Sequence, residues 1–170
     1  MSKLKIQPSK QDIFSKARDL LDNKKLRITS SDKNRPWGGF FVIDESQASI
    51  FIKEFFPELD IKDFKQFDKL SPKLLMVAPQ KRLSWQYHHR RSEIWRVIQG
   101  KAGVVVSDTD EQTPVKTLNT GDTIRLKQGE RHRLVGLDDW AIIAEIWQHT
   151  DASHPSDEDD IVRLEDDFGR

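Results

Sequence analysis

Short apolar runs separated by turn residues dominate the chain from residue 38 onward. Segments such as GFFVID, KLLMVAP, AGVVVSD and WAIIAEIWQ are rich in Val, Ile, Phe and Trp and are bounded by Gly, Pro, Asn or Asp. Many such runs at close spacing are typical of an antiparallel sandwich or barrel. ASIFIKEFF, at 48–56, fits this series of strands, whereas PELDIKDFKQF has a locally helical pattern. The pattern therefore predicts an all-β fold.

One segment ahead of the strands has a helical period instead. The sequence SKQDIFSKARDLLDN, at 9–23, places Ile13, Ala17 and Leu21 at helical spacing, and Ser9 can serve as the N-cap. We therefore expect an amphipathic N-terminal helix that packs one face against the β domain.

Length and charge limit the class of protein. At 170 residues, with 28 Lys and Arg against 28 Asp and Glu, the chain fits one domain with a formal net charge of zero. We divide it into a helix and lead-in at 1–34 and a barrel with its acidic C-terminal segment at 35–170. Balanced charge argues against a nucleic-acid or membrane-surface binder. The absence of a signal-peptide core and of cysteine leads us to expect a cytoplasmic protein.

A cluster of polar residues interrupts the apolar pattern at 83–100, in LSWQYHHRRSEIWRVIQG. Gln86 and His88 are two positions apart and share one side of a strand; Glu93 lies on the next strand. His132, in GERHRLVG, joins them if all four face the interior. Two imidazoles, one carboxylate and one amide oxygen suit a divalent transition metal. The plainer alternative is a polar pair of His88 and Glu93 on a partly solvated face.

A second segment, TGDTIRLKQGERHRL, favours the metal site. With the first segment it resembles the paired motifs of the cupin superfamily, in which glycine-flanked strands deliver His, Glu and a distant His. Lys127 stands where the second motif usually has proline, and Gly136 where it usually has asparagine. The resemblance implies a cupin-type barrel, a double-stranded β-helix or jelly roll.

The order RPWGGF, LSWQYHHRRSEIWRVIQG, GERHRL and EDDIVRLEDDFGR resembles the type II phosphomannose isomerase domain, over 35–170. This cupin occurs alone or at the end of bifunctional isomerase/mannose-1-phosphate guanylyltransferases. Since no Gly-rich phosphate-binding motif precedes the barrel, we expect the isomerase module by itself. The resemblance implies one divalent metal, foremost zinc, at the four positions named above. In two departures, Arg90 and Ile94 stand where the family usually has histidines.

The implied reaction interconverts mannose 6-phosphate and fructose 6-phosphate through an enediol, and it needs a base and a phosphate site. Glu145, a lone carboxylate in IIAEIWQ, is a candidate base because burial raises a carboxyl pKa. His89 is the alternative, and the choice stays open. Arg90 and Arg91 are the candidates for the substrate phosphate, since arginine donates two hydrogen bonds to phosphate oxygens.

The acidic C-terminal segment has apolar anchors, and we expect it to pack on the barrel with Arg163 paired to a nearby carboxylate. Arg163 and Trp95 are further candidates for the pocket. Two other functions stay open: a non-catalytic cupin that binds a sugar phosphate or nucleotide sugar, and another metal-dependent cupin enzyme such as an oxygenase. By analogy with paired cupin barrels we expect a homodimer, with no nucleic-acid or membrane partner.

Overall fold

The computed structural model describes residues 6–170, so residues 1–5 of the predicted N-terminal segment lie outside the described part. Helix α1, Lys10–Asn23, confirms the predicted amphipathic helix. It begins with a capping box: the Ser9 hydroxyl accepts the Asp12 backbone N–H, and the Asp12 carboxylate accepts the Ser9 N–H. The side chains buried by this helix are those of Ile13, Phe14, Ala17 and Leu21.

Two antiparallel sheets form the body of the molecule, as the all-β prediction requires. The six-stranded sheet has the order β1-β2-β3-β10-β5-β8 and comprises β1 (Ile28–Arg35), β2 (Gly38–Ile43), β3 (Lys73–Val77), β5 (Arg91–Gln99), β8 (Thr123–Leu126) and β10 (Ala141–His149). The five-stranded sheet has the order β11-β4-β9-β6-β7 and comprises β4 (Trp85–Tyr87), β6 (Ala102–Ser107), β7 (Lys116–Leu118), β9 (Arg131–Gly136) and β11 (Val162–Glu165).

The six-stranded sheet is covered on both faces, which gives the molecule two apolar clusters. Its outer face packs against α1 and a second helix, α2 (Ala48–Phe55), and contributes Ile142, Ala144 and Ile146 of β10. Its inner face turns toward the five-stranded sheet, with alternate residues of the same strand, such as Ile143, in the second cluster. Strand alternation thus sends neighbouring residues to separate cores.

The prediction of a strand at 48–56 is wrong, because Ala48–Phe55 forms helix α2. The buried residues are Ala48, Phe51, Ile52 and Phe55, which is the spacing of one helix face. A short apolar run cannot by itself distinguish a buried strand from a buried helix. Among the described helices, none is both long and apolar enough to cross a membrane.

Strand β1 was not among the predicted strands. Its sequence, ITSSDKNR, has no apolar alternation, and its burial pattern is mostly exposed. Within residues 6–170 it pairs only with β2, at the edge of the six-stranded sheet. The sheet therefore begins at Ile28, ahead of the predicted start of the barrel at residue 35; the division into two segments stays a prediction.

Gly136, at the end of β9, is required by a close approach of two backbones. Its N–H donates to the carbonyl of Lys81 at 2.6 Å, and a Cβ atom there would overlap the carbonyl oxygen of Ala78. An asparagine side chain has no room at this position. Packing therefore explains why this chain departs from the second cupin motif here.

Candidate functional site

The polar residues predicted to converge lie on facing strands of the two sheets. Gln86 of β4 pairs with His132 of β9 in the five-stranded sheet. Glu93 of β5 pairs with Trp147 of β10 in the six-stranded sheet. His88 follows directly after β4 and is buried. Both sheets thus direct polar side chains into the space between them.

His88, Glu93 and His132 form a compact group in which one ligand atom from each lies within 4.8 Å of the others. The Glu93 carboxylate lies between the two imidazoles: Oε1 is 3.2 Å from His88 Nε2, and Oε2 is 3.6 Å from His132 Nε2. All three residues are at most 3% exposed. Two imidazoles and a carboxylate at this spacing can hold a divalent transition metal.

Hydrogen bonds at the Nδ1 atoms orient both imidazoles to bind a metal through Nε2. His88 Nδ1 donates to the carbonyl of Asp160 at 2.6 Å, and His132 Nδ1 donates to the carbonyl of Glu130 at 3.0 Å. Each ring therefore presents the lone pair of Nε2 to the centre. Within the described residues, His132 Nε2 is buried without a hydrogen-bond partner. Since buried polar atoms are normally satisfied, a metal ion fits this position.

Gln86, the fourth predicted ligand, lies beside this group with a different atom turned inward. Its amide nitrogen is 3.3 Å from His88 Nε2, while its oxygen accepts a hydrogen bond from the Ser84 hydroxyl. Coordination through the oxygen requires the amide to rotate by half a turn. The structure thus brings three predicted ligands together directly and places the fourth next to them.

Arg91 is buried in the wall of the site. Its Nε donates to Glu93 Oε1 at 2.8 Å, a second nitrogen donates to His88 Nε2 at 3.2 Å, and its guanidinium stacks 3.5 Å from the Trp147 ring. Burial alone would raise the pKa of Glu93, but the positive charge of Arg91 holds that pKa well below its ordinary value. Arg91 therefore keeps the central carboxylate ionised.

Glu145 lies on the same inner face as Glu93, next to the metal-ligand group. Its two oxygens accept hydrogen bonds from the indole N–H groups of Trp95, at 2.7 Å, and Trp147, at 2.9 Å. Burial, together with the negative charge of Glu93, raises the pKa of Glu145 to about 7. A carboxyl group with this pKa can both release and accept a proton near neutral pH.

An open cleft leads from solvent to these groups. Its lining includes the predicted residues Gln86, Arg91, Glu93, Trp95, Glu145 and Arg163. Arg90 and His89 do not line it. Arg90 contacts the C-terminal segment through Asp157, Asp160 and the carbonyl of His154, and His89 is exposed. The sequence candidates for phosphate and base are therefore divided between the cleft and the outer surface.

The C-terminal segment packs on the barrel, as the sequence suggested, through pairing of β11 with β4. The expectation that Arg163 pairs with a carboxylate is wrong, since within the described residues its side chain has no acidic partner. Asp160 has a role that the sequence did not reveal. Its carboxylate accepts the backbone N–H groups of His89 and Arg90, and its carbonyl holds His88.

Lys73 lines the cleft and was also missed by sequence reasoning. It lies in the buried strand KLLMV, stacks on Trp147 at 3.9 Å and pairs with Glu158 at 2.6 Å. A single charge at the start of a buried apolar run was the available signal. The contact between Lys73 and Glu158 joins the C-terminal segment to the six-stranded sheet.

Comparisons with known proteins identify the family of this chain and agree with its fold. The family described as Mannose-6-phosphate isomerase C-terminal matches residues 22–166. The alginate biosynthesis protein AlgA of Pseudomonas aeruginosa is 32% identical over 136 residues, which cover 80% of this chain and 22% of AlgA. A mannose-1-phosphate guanylyltransferase of Salmonella montevideo is 25% identical over 150 residues, covering 88% of this chain and 26% of the enzyme. The chain thus spans about a quarter of these relatives.

Among solved structures, a variant of Bacillus subtilis oxalate decarboxylase matches with a TM-score of 0.54 at 14% identity. The match covers 80% of this chain and 30% of the decarboxylase chain. At this identity the likeness bears on the fold alone. With the family match it confirms the predicted cupin-type barrel with an N-terminal helix.

Proposed function

Because the chain belongs to the Mannose-6-phosphate isomerase C-terminal family of cupin domains, we propose that it is a metal-dependent isomerase that interconverts mannose 6-phosphate and fructose 6-phosphate. The observation that carries the proposal is the position of Glu93, the carboxylate of the buried His88–Glu93–His132 group, in one cleft with Glu145. The first supplies a site for a cation, and the second supplies a carboxyl group suited to proton transfer.

The chemistry moves one proton between C1 and C2 of the sugar and a second proton between the oxygens on these two carbons. A divalent cation held by His88, Glu93 and His132, for which we favour zinc, would polarise the substrate carbonyl and stabilise negative charge on the oxygens. Glu145 accepts the proton from one carbon and returns it to the other. The indoles of Trp95 and Trp147 fix the direction of the carboxylate by donating to both of its oxygens.

The raised pKa of Glu145 suits this role. A base with a pKa near the working pH has a large ionised fraction and still binds the abstracted proton well. The two carboxylates of the site differ in environment: Arg91 keeps Glu93 ionised, whereas burial and the Glu93 charge leave Glu145 near its midpoint. We therefore assign Glu93 to the cation and Glu145 to the proton. This choice also removes the need for His89, which is exposed.

The two departures from the family pattern lie away from the cleft, which supports a catalytic function over a sensor. Ile94 is fully buried in the outer cluster, on the opposite face of β5 from Glu93. Arg90 contacts the C-terminal segment on the outside of the barrel. Neither residue lines the space where substrate would bind.

A coupled assay tests the proposal. Protein stripped with a chelator is reloaded with Zn²⁺, Co²⁺ or Mn²⁺ and is supplied with mannose 6-phosphate without oxygen. We expect turnover that disappears with chelator, returns with metal and is lost in His88→Ala. Absence of turnover with every metal, in protein that binds metal, would refute the isomerase. Consumption of dioxygen by the iron-loaded protein would favour an oxygenase instead.

A further inference from the structure

Arg163 shares one row of the five-stranded sheet with two residues of the metal site. Arg163 of β11 pairs with Gln86 of β4, and Gln86 pairs with His132 of β9. Directly paired residues on antiparallel strands project to the same face of a sheet. Arg163 therefore projects toward the side that carries the metal-site residues, and it lines the cleft. Its position at the edge strand places it at the mouth.

Arg163 is also the cleft cation with the least neutralised charge. Lys73 pairs with Glu158, and Arg91 pairs with Glu93. Arg163 itself is exposed, and within residues 6–170 its side chain has no hydrogen bond, ion pair or ring contact. An unpaired guanidinium at the entrance of a cleft is available to an incoming anion.

Two further arginines lie at the same mouth and add positive charge. Arg35 is 2.9 Å from a carboxylate oxygen of Asp32, and Arg170 donates to Asp166 at 2.8 Å. Each lies next to a carboxylate that partly neutralises its charge, so each attracts an anion less strongly than Arg163 does. The three guanidinium groups come from different parts of the chain and line one opening. The mouth therefore suits an anion, while the interior suits a cation.

The spacing of the row limits the shape of the ligand. Adjacent strands lie about 5 Å apart, so the backbone of Arg163 is roughly 10 Å from that of His132. A ligand that reaches both ends must carry cation-binding oxygens at one end and an anionic group at the other. A hexose phosphate, with its carbonyl at C1 or C2 and its phosphate on C6, has this arrangement.

We propose that Arg163 is the principal phosphate-binding residue of the cleft, assisted by Arg35 and Arg170, and that it selects phosphorylated over unphosphorylated sugars. The inference rests on the proposed isomerase function and moves the phosphate contact away from Arg90 and Arg91. Arg90 lies outside the cleft, and Arg91 is engaged with Glu93, Ser156 and the carbonyl of Asp157.

Titration calorimetry at fixed ionic strength tests the assignment, with mannose 6-phosphate, mannose and inorganic phosphate as probes on metal-loaded and chelator-stripped protein. The variants are Arg163→Gln, Arg163→Lys and the control Arg125→Gln. Arg125 lies on edge strand β8 of the other sheet; it is exposed and, like Arg163, has no partner within the described residues. The two glutamine variants therefore remove the same charge from comparable positions.

We expect Arg163→Gln to weaken binding of mannose 6-phosphate by about 10- to 100-fold and to leave mannose binding unchanged. In the coupled assay its KM rises by a similar factor while kcat changes less. Arg163→Lys retains part of the affinity, and Arg125→Gln matches the wild type. Equal affinities of Arg163→Gln and Arg125→Gln for mannose 6-phosphate would overturn the assignment.

The outcomes separate this inference from the proposed reaction. If wild-type protein turns over mannose 6-phosphate and Arg163→Gln has no effect, the isomerase proposal stands and the phosphate assignment is wrong. If wild-type protein binds mannose 6-phosphate through Arg163 but does not turn it over, the phosphate assignment stands and the isomerase proposal is wrong. If wild-type protein binds mannose 6-phosphate no better than mannose, the phosphate site is wrong whatever the reaction.

Discussion

The two faces of strands β5 and β10 both carry fully buried side chains, but the two sets differ in chemistry. On the outer face, Ile94 and Ile146 pack into an apolar cluster beneath the helices. On the inner face, Glu93 and Glu145 lie 3% and 5% exposed among Trp95 and other cleft residues. A buried charge lowers the stability of the fold unless an opposite charge or hydrogen bonds compensate it. The difference fits an outer face that stabilises the barrel and an inner face that carries the proposed site.

The inner face meets this cost with specific partners. Arg91 neutralises Glu93 and is itself held by Ser156 and the carbonyl of Asp157 from the C-terminal segment. Two indoles satisfy Glu145. On the outer face, Ile94 and Ile146 carry no charge and contribute packing area. Substitutions on the two faces should therefore affect different properties.

The largest effect is expected from Glu93→Gln. Loss of the carboxylate between the two imidazoles should lower zinc affinity on the order of 10³-fold, beyond the 10- to 100-fold cost of losing an outer partner. Calorimetric titration of zinc into chelator-stripped protein measures this change. Unchanged affinity would mean that the metal binds elsewhere.

The neighbouring residue on the other face provides the matched comparison. Ile94→Ala should destabilise the fold by about 2–5 kcal/mol because it leaves a cavity in the outer cluster. Zinc affinity and kcat per folded molecule should stay within a few-fold of wild type. Denaturant unfolding gives the first quantity and the zinc titration the second. A large loss of zinc affinity in Ile94→Ala would show that the two faces are not independent.

A smaller effect is expected in the pH dependence of stability. The pKa of Glu145 is raised from 4.5 to about 7, so the folded protein keeps a proton that the unfolded chain releases. Stability from this group is therefore complete below about pH 4.5 and declines as pH rises toward 7, by up to about 3 kcal/mol. Unfolding of metal-free wild type and Glu145→Gln between pH 5 and 8 measures the difference. Parallel curves would contradict the raised pKa.

The smallest effect is expected from Arg90→Gln. Arg90 lies outside the cleft, and its ion pairs with Asp157 and Asp160 are long, at 3.7 Å and 3.8 Å, so their loss should have little effect on the cleft. We expect the KM for mannose 6-phosphate to change by less than about threefold. Steady-state kinetics of Arg90→Gln and Arg163→Gln, measured side by side, compares the two KM values. An increase in KM equal to that of Arg163→Gln would return the phosphate contact to Arg90.

The sequence predicted those features that depend on local pattern. Alternation placed Gln86, Glu93 and His132 on inward faces, and helical spacing with a Ser9 cap predicted α1. The same reasoning gave a wrong prediction for Ala48–Phe55, because its apolar run is compatible with either a strand or a helix. Strand β1 was missed because an edge strand that faces solvent needs no apolar alternation.

The features of the site that could not be predicted from the sequence depend on contacts between distant parts of the chain. The carbonyl of Asp160 reaches His88 across 72 positions of the chain, and nothing in the local sequence indicates a carbonyl contact. The direction of Arg90 depends on where Asp157 and Asp160 lie in the folded C-terminal segment. Arg163 was placed among the pocket candidates, but its lack of a partner appears only when the neighbouring strands are in place.

Proton exchange tests the central claim, that the polar inner face is an isomerase site with Glu145 as its base. Mannose 6-phosphate is incubated in D₂O with zinc-loaded wild type or Glu145→Gln and is followed by ¹H NMR. Wild type should form fructose 6-phosphate and introduce deuterium at the carbon that exchanges its proton. Glu145→Gln, with zinc bound, should be slower by about 10²- to 10⁴-fold. Equal rates in the two proteins, or no product and no exchange in wild type that binds the sugar phosphate, would contradict the account.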